Sequence, residues 1–249
     1  MFFDKKAKLK QEFKRLFGSL FTSPKAYTSI VTLLAGRHSG YSRDEIADSL
    51  NVKGGGTLTK MLEALIAGDF IRTYVPFGAK KREVRYKLID NFCQFAIRFV
   101  EDESITDNQF WQHSQNTPVI NAWRGIAFEQ VCFSHTRQIK NALDVGAVIS
   151  NESVWATPGD DEHPGAQIDM IISRNDRVTN LCEMKFVSGD YNVTADEERR
   201  LRNRVAALQE HLSQKQTIHL TLITTYGLKQ GAHSGIFQNV VTAADIINS

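Results

Sequence analysis

The stretch "QIDMIISRNDRVTNLCEMKF", residues 167–186, consists of two apolar runs joined by a polar turn, with three charged residues inside those runs. Short apolar runs on either side of a polar turn predict a pair of strands. Side chains alternate faces along a strand, so Glu183 and Lys185 project to the same side of the second strand. A hairpin of this length can bring Asp169 of the first strand beside Glu183. The pattern therefore predicts two carboxylates and an ammonium on one patch of a sheet.

Charged groups inside a domain have to be compensated, because an unpaired buried charge costs several kcal/mol. Carboxylate oxygens are typical ligands of Mg²⁺ or Mn²⁺, which also bridge to substrate phosphates. We therefore predict Asp169 and Glu183 as metal ligands. Lys185 is a candidate to position or help deprotonate an attacking water. The alternative is a structural salt bridge between Glu183 and Lys185, with Asp169 serving only as a turn residue.

A third carboxylate lies upstream, in the helical pattern "VINAWRGIAFEQVCFSHTRQIKNAL" that runs from Val119 to about Leu143. The helical neighbours of Glu129, three and four residues away on each side, are Gly, Ile, Cys and Phe. Glu129 thus emerges from an apolar surface, and we predict it as the third metal ligand. Downstream of this helix the sequence alternates strand-like runs with one charged helix. Residues 119–249 are therefore expected to form an α/β domain with helices flanking a mixed sheet.

The first hundred residues differ in charge from the remainder. Residues 1–100 contain 18 Lys and Arg against 9 Asp and Glu, whereas the rest contains 12 against 19. The net charge of the whole chain is only +2. Such a division suggests that the basic part binds a polyanion and that the acidic part holds a metal ion. The alternative is a chance partitioning of surface charge.

Residues 24–90 have the pattern of a winged helix-turn-helix. Three short helical segments are followed by two strand-like runs around the basic turn "GAKKR". In that fold the third helix can enter the DNA major groove while the wing contacts the backbone. The predicted DNA contacts are Lys53, Thr57, Thr59 and Lys60 on the groove side and Lys80, Lys81 and Arg82 on the wing. The alternative is a protein–protein module whose hairpin is simply a soluble turn.

The remaining segments set the limits of these two parts. Residues 1–23 read as an amphipathic helix whose apolar stripe needs a partner, and residues 91–118 read as a helical connector with an acidic end. No apolar run approaches the roughly 20 residues of a membrane span, and we expect no secretory signal, because lysines interrupt the apolar residues near Met1. The sequence has three cysteines, and no two of them form a CxxC motif. We expect a cytoplasmic protein without a membrane partner.

The motifs together resemble the PD-(D/E)xK nuclease superfamily, whose restriction-endonuclease-like core carries a helical Glu, a strand Asp and an (Asp/Glu)-x-Lys. The matching positions are Glu129, Asp169, Glu183 and Lys185. More closely, the chain resembles the C-terminal half of a family of bacterial and archaeal AAA-type ATPases, on "AWRGIAFEQVC", "TTYGL", "SGYSRDEI" and "YKLIDNF". The resemblance implies a winged helix joined to a nuclease-like domain that uses Mg²⁺ or Mn²⁺.

The sequence also departs from that family. It contains no GxxxxGK[ST] motif, so we expect no ATPase activity from this chain by itself. Residues 1–23 are then a possible dock for a separate AAA-type ATPase domain. The expected function is that of a metal-dependent DNA endonuclease. The alternative is a catalytically inactive module that binds DNA or regulates an ATPase, and the pattern leaves the oligomeric state open.

Overall fold

The computed structural model describes residues 2–4, 7–52, 54–157, 166–213 and 215–248, and the chain divides into two units. The first unit comprises Met1–Val75 and Lys81–Ala122, and the second comprises Pro76–Lys80 and Trp123–Ser249. The expected mixed α/β class is confirmed, with a five-stranded mixed sheet in the second unit.

The first unit consists mainly of helices and contains one two-stranded antiparallel sheet. Its elements are α1 (Glu12–Leu20), α2 (Pro24–Ala35), α3 (Arg43–Ser49), α4 (Gly56–Ala67), β1 (Ile71–Tyr74), β2 (Arg85–Leu88), α5 (Asn91–Phe95), a π-helical turn (Ala96–Val100) and α6 (Phe110–His113). The strands pair from Ile71 opposite Leu88 to Tyr74 opposite Arg85. Helix, short helix, helix and hairpin therefore follow in the order that the sequence pattern indicates.

Two segments outside this helical trio contribute to the core of the first unit. Phe13 and Phe17 of α1 are buried in the same cluster as the apolar face of α2, so the stripe of α1 has a partner within the unit. Cys93, Ala96 and Val100, from the stretch predicted as a connector, are buried in that cluster as well. The π-helical turn at Ala96–Val100 follows α5 directly, and both elements contribute buried side chains to this core.

The start of α3 is determined locally. The Ser42 hydroxyl accepts the Glu45 amide at 3.1 Å, and the Glu45 carboxylate accepts the Ser42 amide at 2.6 Å, which is a complete capping box. The residue before this cap, Tyr41, forms an isolated antiparallel bridge with Tyr86 of β2. Gly40 adopts a φ of +67°, and a Cβ at this position would lie 2.4 Å from the Tyr86 carbonyl oxygen. Only glycine permits this close approach of the turn to the strand.

The second unit is built on a five-stranded sheet of order β3-β4-β5-β6-β7. Its elements are α7 (Pro118–Ser134, whose first residues belong to the first unit), α8 (Thr136–Ala142), β3 (Ser150–Thr157), β4 (Ala166–Arg174), β5 (Val178–Lys185), α9 (Ala195–Glu210), β6 (Thr217–Thr224), a 3₁₀ turn (Ser234–Ile236), β7 (Asn239–Thr242) and α10 (Ala243–Asn248). Strands β3, β4 and β5 are antiparallel neighbours, whereas β5, β6 and β7 are parallel. Helix α9 connects the parallel strands β5 and β6, as such a crossover requires.

Helices cover both faces of this sheet. On one face, α9 packs through Leu201 and Leu208 in a core that includes Ile171, Leu181, Leu220 and Leu222 of the strands. On the other face, the core combines Phe128 and Cys132 of α7, Ile139 of α8 and Ile246 of α10 with Met170, Cys182, Met184 and Ile223. Both clusters contain β5 residues, because alternate residues of that strand belong to opposite faces.

The long helix predicted from Val119 to about Leu143 is interrupted at His135. This residue has φ −119° and ψ 30°, so α7 ends at Ser134 and α8 begins at Thr136. Its ring Nδ1 lies 2.7 Å from the carbonyl oxygen of Val131, in place of the backbone amide that would donate there in a continuous helix. The break redirects the chain, and Ile139 of α8 is fully buried against the sheet.

Apolar residues of the helices and strands are buried in the clusters described above. No helix among the described residues combines the length and the apolar character needed to cross a bilayer. The three cysteines are free thiols and all are buried, Cys93 in the first unit and Cys132 and Cys182 in the second.

Candidate functional site

Glu183 and Lys185 form an ion pair at the carboxyl end of β5. The Lys185 Nζ lies 2.7 Å from Glu183 Oε1, and the Glu183 side chain is only 4% exposed. Their neighbours Cys182 and Met184 belong to the core on the opposite face of the sheet, as strand alternation predicts. The sequence pattern alone therefore identified a real pair of side chains on one face.

Asp169 lies at an irregularity in β4. Ser153 of β3 is opposite Ile171, whereas Trp155 is opposite Ile168, so β4 has one residue more than β3 between these pairs. Asp169 and Met170 are the residues inside this β-bulge. Bulges bend a strand and redirect the side chain of the extra residue, and they are frequent beside active sites.

The bulge coincides with the end of the regular pairing between β4 and β5. The Cα register between these strands extends to Met170 opposite Cys182. Beyond it, the carboxylate of Asp169 takes over the role of a backbone acceptor, because its Oδ2 accepts the amide of Met184 at 3.2 Å. Asp169 is thereby fixed next to the Glu183 and Lys185 pair.

The electrostatic environment of Asp169 is unfavourable for a negative charge. Burial, followed by repulsion from Glu183 and from Glu129, raises the pKa of Asp169 from 3.8 to about 7. The hydrogen bond from Met184 and the attraction of Lys185 oppose this rise but are weaker. A cation beside Asp169 would relieve this repulsion, because it would attract all three carboxylates.

Glu129 belongs to α7, on the other face of the sheet. Helix α7 packs through Phe128 and Cys132 on the face of the sheet opposite α9, and Glu129 itself is half-buried. Glu129 repels Asp169 and, after burial, is the main cause that raises the pKa of the Cys132 thiol. Among the described residues, however, no group of three or more His, Cys, Asp or Glu side chains has the geometry of a metal site. Glu183 and Glu129 therefore both repel Asp169, but the three predicted ligands do not form a metal-binding site in this structure.

The second oxygen of Glu183 is also engaged. Arg204 of α9 donates its Nη1 to Glu183 Oε2, so each carboxylate oxygen faces one cation. Burial disfavours the charged form of Lys185, but the attraction and hydrogen bond of Glu183 outweigh it and raise the pKa of Lys185. The ammonium is consequently held in its charged form. Arg204 is one of four arginines on this helix, and the sequence pattern does not indicate which of them meets Glu183.

A second polar pair lies next to Lys185 and was missed from the sequence. The buried Tyr191 donates its hydroxyl to Glu197 Oε1 at 2.7 Å. Glu197 also completes a capping box with Thr194 at the start of α9. Burial alone would raise the pKa of Glu197, but the hydrogen bonds from Tyr191 and Thr194, with a smaller contribution from Lys185, lower it. The signal in the sequence was the spacing of Thr194 and Glu197, which is that of a capping box.

The predicted groove residues in the first unit have different environments. Thr57 and Lys60 of α4 are exposed, whereas Thr59 is half-buried and accepts the Arg43 Nε at 3.2 Å. Arg43 also donates to the carbonyl oxygens of Gly54 and Gly55, at 3.2 Å for Gly55, and so anchors the turn before α4. Lys53 lies outside the described residues.

The predicted wing residues Lys80, Lys81 and Arg82 are all exposed. Lys80 belongs to the segment Pro76–Lys80 of the second unit, while Lys81 and Arg82 belong to the first. Within the second unit, the amide of Phe77 donates to the Val154 carbonyl at 2.9 Å, and the Phe77 ring packs against the core beneath α9. Phe77 therefore has a structural role within the second unit, whatever the role of the basic side chains that follow it.

No family model matches this sequence, and no curated protein matches it. A solved structure with some similarity is the crystal structure of protein VC1899 from Vibrio cholerae, at 10% sequence identity and a TM-score of 0.32. The alignment covers 99% of this chain and 55% of that one, so the chain spans about half the length of that protein. Similarity of this extent carries no argument about function, which has to be derived from the side chains described above.

Proposed function

We propose that the second unit is a PD-(D/E)xK nuclease-like domain that hydrolyses phosphodiester bonds in DNA with a divalent metal ion. The observation that carries this proposal is Asp169, placed on a β-bulge next to the pair of Glu183 and Lys185, with a pKa of about 7. Carboxylates that are forced together in this way favour a bound cation. A purely structural salt bridge has no need of the additional carboxylate of Asp169.

The chemistry of the donors fits Mg²⁺ or Mn²⁺, since both prefer carboxylate oxygens and retain several waters. Asp169 and Glu183 would hold the ion, and Glu129 would contribute from α7. When bound, such an ion lowers the pKa of a water molecule and neutralises charge that develops on the phosphodiester. Asp169 is kept in place for this role by the Met184 amide.

Lys185 is assigned a positioning role and not that of a general base. Its raised pKa keeps the Nζ protonated, so it has no free electron pair with which to accept a proton. A charged ammonium beside two carboxylates can orient a water molecule or a phosphate oxygen. This narrows the sequence-based prediction, which left both roles open.

We further propose that the first unit is a winged helix that contacts DNA. The order of its elements and the isolated bridge between Tyr41 and Tyr86 of the hairpin support this fold. The exposed Thr57 and Lys60 are the candidates for the groove. Exposed lysine and arginine at 80–82 are the candidates for phosphate contacts. By its sequence resemblance, the same unit is also a candidate to dock an AAA-type ATPase.

A cleavage assay tests the nuclease proposal. Single-stranded, duplex and branched DNA should be incubated with the protein and Mn²⁺, alongside Asp169→Ala, Lys185→Ala and the exposed control Lys229→Ala. We expect cleavage by the wild type and by the control, and a loss of at least 100-fold for Asp169→Ala and Lys185→Ala. Equal cleavage by all four proteins would show that any activity comes from another site or from a contaminant.

A second candidate function is a catalytically inactive module that binds DNA or a protein partner. The observation that favours it is the pairing of both Glu183 oxygens with Lys185 and Arg204, which already compensates this carboxylate. This candidate predicts no cleavage and no change in stability on addition of Mg²⁺. Thermal unfolding with and without the ion distinguishes the two, because a ligand that binds the folded state raises its melting temperature.

The DNA-binding part is tested separately. Charge reversal of Lys81 and Arg82 to Glu should weaken DNA binding and reduce its salt dependence by about one unit of slope for each lost phosphate contact. Lys25→Glu, an exposed charge reversal on α2, serves as the control. Affinity that is unchanged in the double variant would favour a protein partner for this unit.

A further inference from the structure

Arg204 is distinguished from the other arginines of α9 by its position on the helix. It lies three residues after Leu201 and four before Leu208, both of which are buried, so it projects from the face of α9 that packs on the sheet. Arg199 and Arg202 instead pair with acidic residues of their own helix and are 72% and 67% exposed. The Arg204 side chain is 27% exposed and reaches across to β5.

This contact places two cations on one buried carboxylate. Lys185 Nζ lies 2.7 Å from Oε1 of Glu183, and Arg204 occupies Oε2. A divalent ion on the same carboxylate would have to lie beside both positive charges. Lys185 is held two residues away on the same strand, whereas Arg204 extends on a long side chain from a neighbouring helix and has access to solvent. Arg204 is therefore the cation that can leave.

We propose that Arg204 exchanges with the divalent ion at Glu183, pairing with Oε2 in the metal-free protein and separating from it when the ion binds. This inference rests on the proposed metal-dependent function and adds a residue that controls the occupancy of its site. In the metal-free state Arg204 compensates a carboxylate that would otherwise be buried with a single partner. No bond is made or broken in the exchange apart from the ion pair and its hydrogen bond.

The proposed exchange predicts the direction in which Arg204 changes the affinity for the metal ion. Because binding of the ion has to disrupt the pair of Arg204 and Glu183, Arg204 lowers the apparent affinity for the metal. Removing the guanidinium charge should therefore tighten metal binding. A merely structural arginine would have the opposite effect or none, since its loss would loosen α9 on the sheet.

The test is a titration of the full chain with Mn²⁺, followed by calorimetry and by the electron paramagnetic resonance signal of free Mn²⁺. We expect Arg204→Gln, whose amide can still donate to Glu183 without a charge, to bind about tenfold more tightly than the wild type, equivalent to ~1.4 kcal/mol. Arg202→Gln, which removes an exposed charge from the same helix, should bind like the wild type. Asp169→Asn should lose binding, which locates the ion at this site.

The outcomes separate this inference from the function on which it rests. If neither the wild type nor Arg204→Gln binds Mn²⁺, the metal-dependent function fails and the exchange fails with it. If the wild type binds and a folded Arg204→Gln binds equally or more weakly, only the exchange is wrong. Should Arg204→Gln fail to fold, a crystal structure of the wild type with Mn²⁺ decides the question. We expect the Arg204 and Glu183 side chains to be more than about 4 Å apart there, beyond salt-bridge distance, and an intact pair beside a bound ion would overturn the proposal.

Discussion

Replacing Asp169 with Asn should stabilise the metal-free protein at pH values above 7. The pKa of Asp169 is about 7 in the folded protein, whereas its ordinary value is 3.8. Between these values the folded state retains a proton that the unfolded state has released, so stability falls as the pH rises through this range. Asn removes the charge that burial disfavours and that Glu183 and Glu129 repel, and its side-chain oxygen can still accept the Met184 amide.

The magnitude follows from the difference in pKa. Each pH unit of difference corresponds to 1.36 kcal/mol, so a rise from 3.8 to about 7 destabilises the wild type by at most about 4 kcal/mol at pH 8.5. We expect Asp169→Asn to recover roughly 2–4 kcal/mol of this at pH 8.5 and less than about 0.5 kcal/mol at pH 3.5, where the carboxyl is mostly protonated in both states.

Urea unfolding in EDTA, monitored by circular dichroism at pH 3.5, 5.5, 7 and 8.5, measures this dependence. Asp176→Asn is the matched control, because Asp176 is exposed and a hydrogen bond from Arg174 lowers its pKa. That substitution should not stabilise the protein at any pH. If Asp169→Asn is no more stable than the wild type at pH 8.5, the charge of Asp169 is not disfavoured by burial and repulsion, and the argument for a cation site loses its basis.

Three further substitutions or reactions test the fold. Ser42→Ala should destabilise the first unit by ~1 kcal/mol in urea unfolding, since it removes the hydroxyl that caps α3, while Ser29→Ala on α2 serves as a control with a smaller effect. Phe17→Ala should cost about 3–5 kcal/mol in the same measurement, because this ring is fully buried; a loss below 1 kcal/mol would show that α1 is not part of that core. The three buried thiols should react with a disulfide reagent only after unfolding, because burial raises the pKa of each; fast labelling of the native protein would contradict their placement.

Local sequence determined the features that depend on near neighbours along the chain. The capping box of Ser42 and Glu45 forms because both groups lie in one turn of the backbone. The shared face of Glu183 and Lys185 follows from the period of a strand, and their ion pair from their spacing. The antiparallel pairing of β4 and β5 was also predictable, since a short polar turn leaves two apolar runs few other partners.

Other features of the site depended on contacts between distant segments. The bulge at Asp169 exists only in relation to the register of β3, which is a property of two strands and not of one sequence. The prediction of Thr59 as a base-reading residue could not take account of Arg43, which binds it from the preceding helix. Similarly, the apolar stripe of α1 revealed that a partner was needed but not that α2 supplies it.

Arg204 illustrates the physical reason for this division. Four arginines on one helix are equivalent in the sequence, and their helical period places them on different faces without indicating which face is buried or against what. Packing of Leu201 and Leu208 on the sheet decides that Arg204 meets Glu183. The sequence by itself thus determined which charged groups the candidate site contains. The tertiary structure decided how each buried charge is compensated, because compensation requires side chains from distant segments. Only the folded core brings those side chains within a few ångströms of each other.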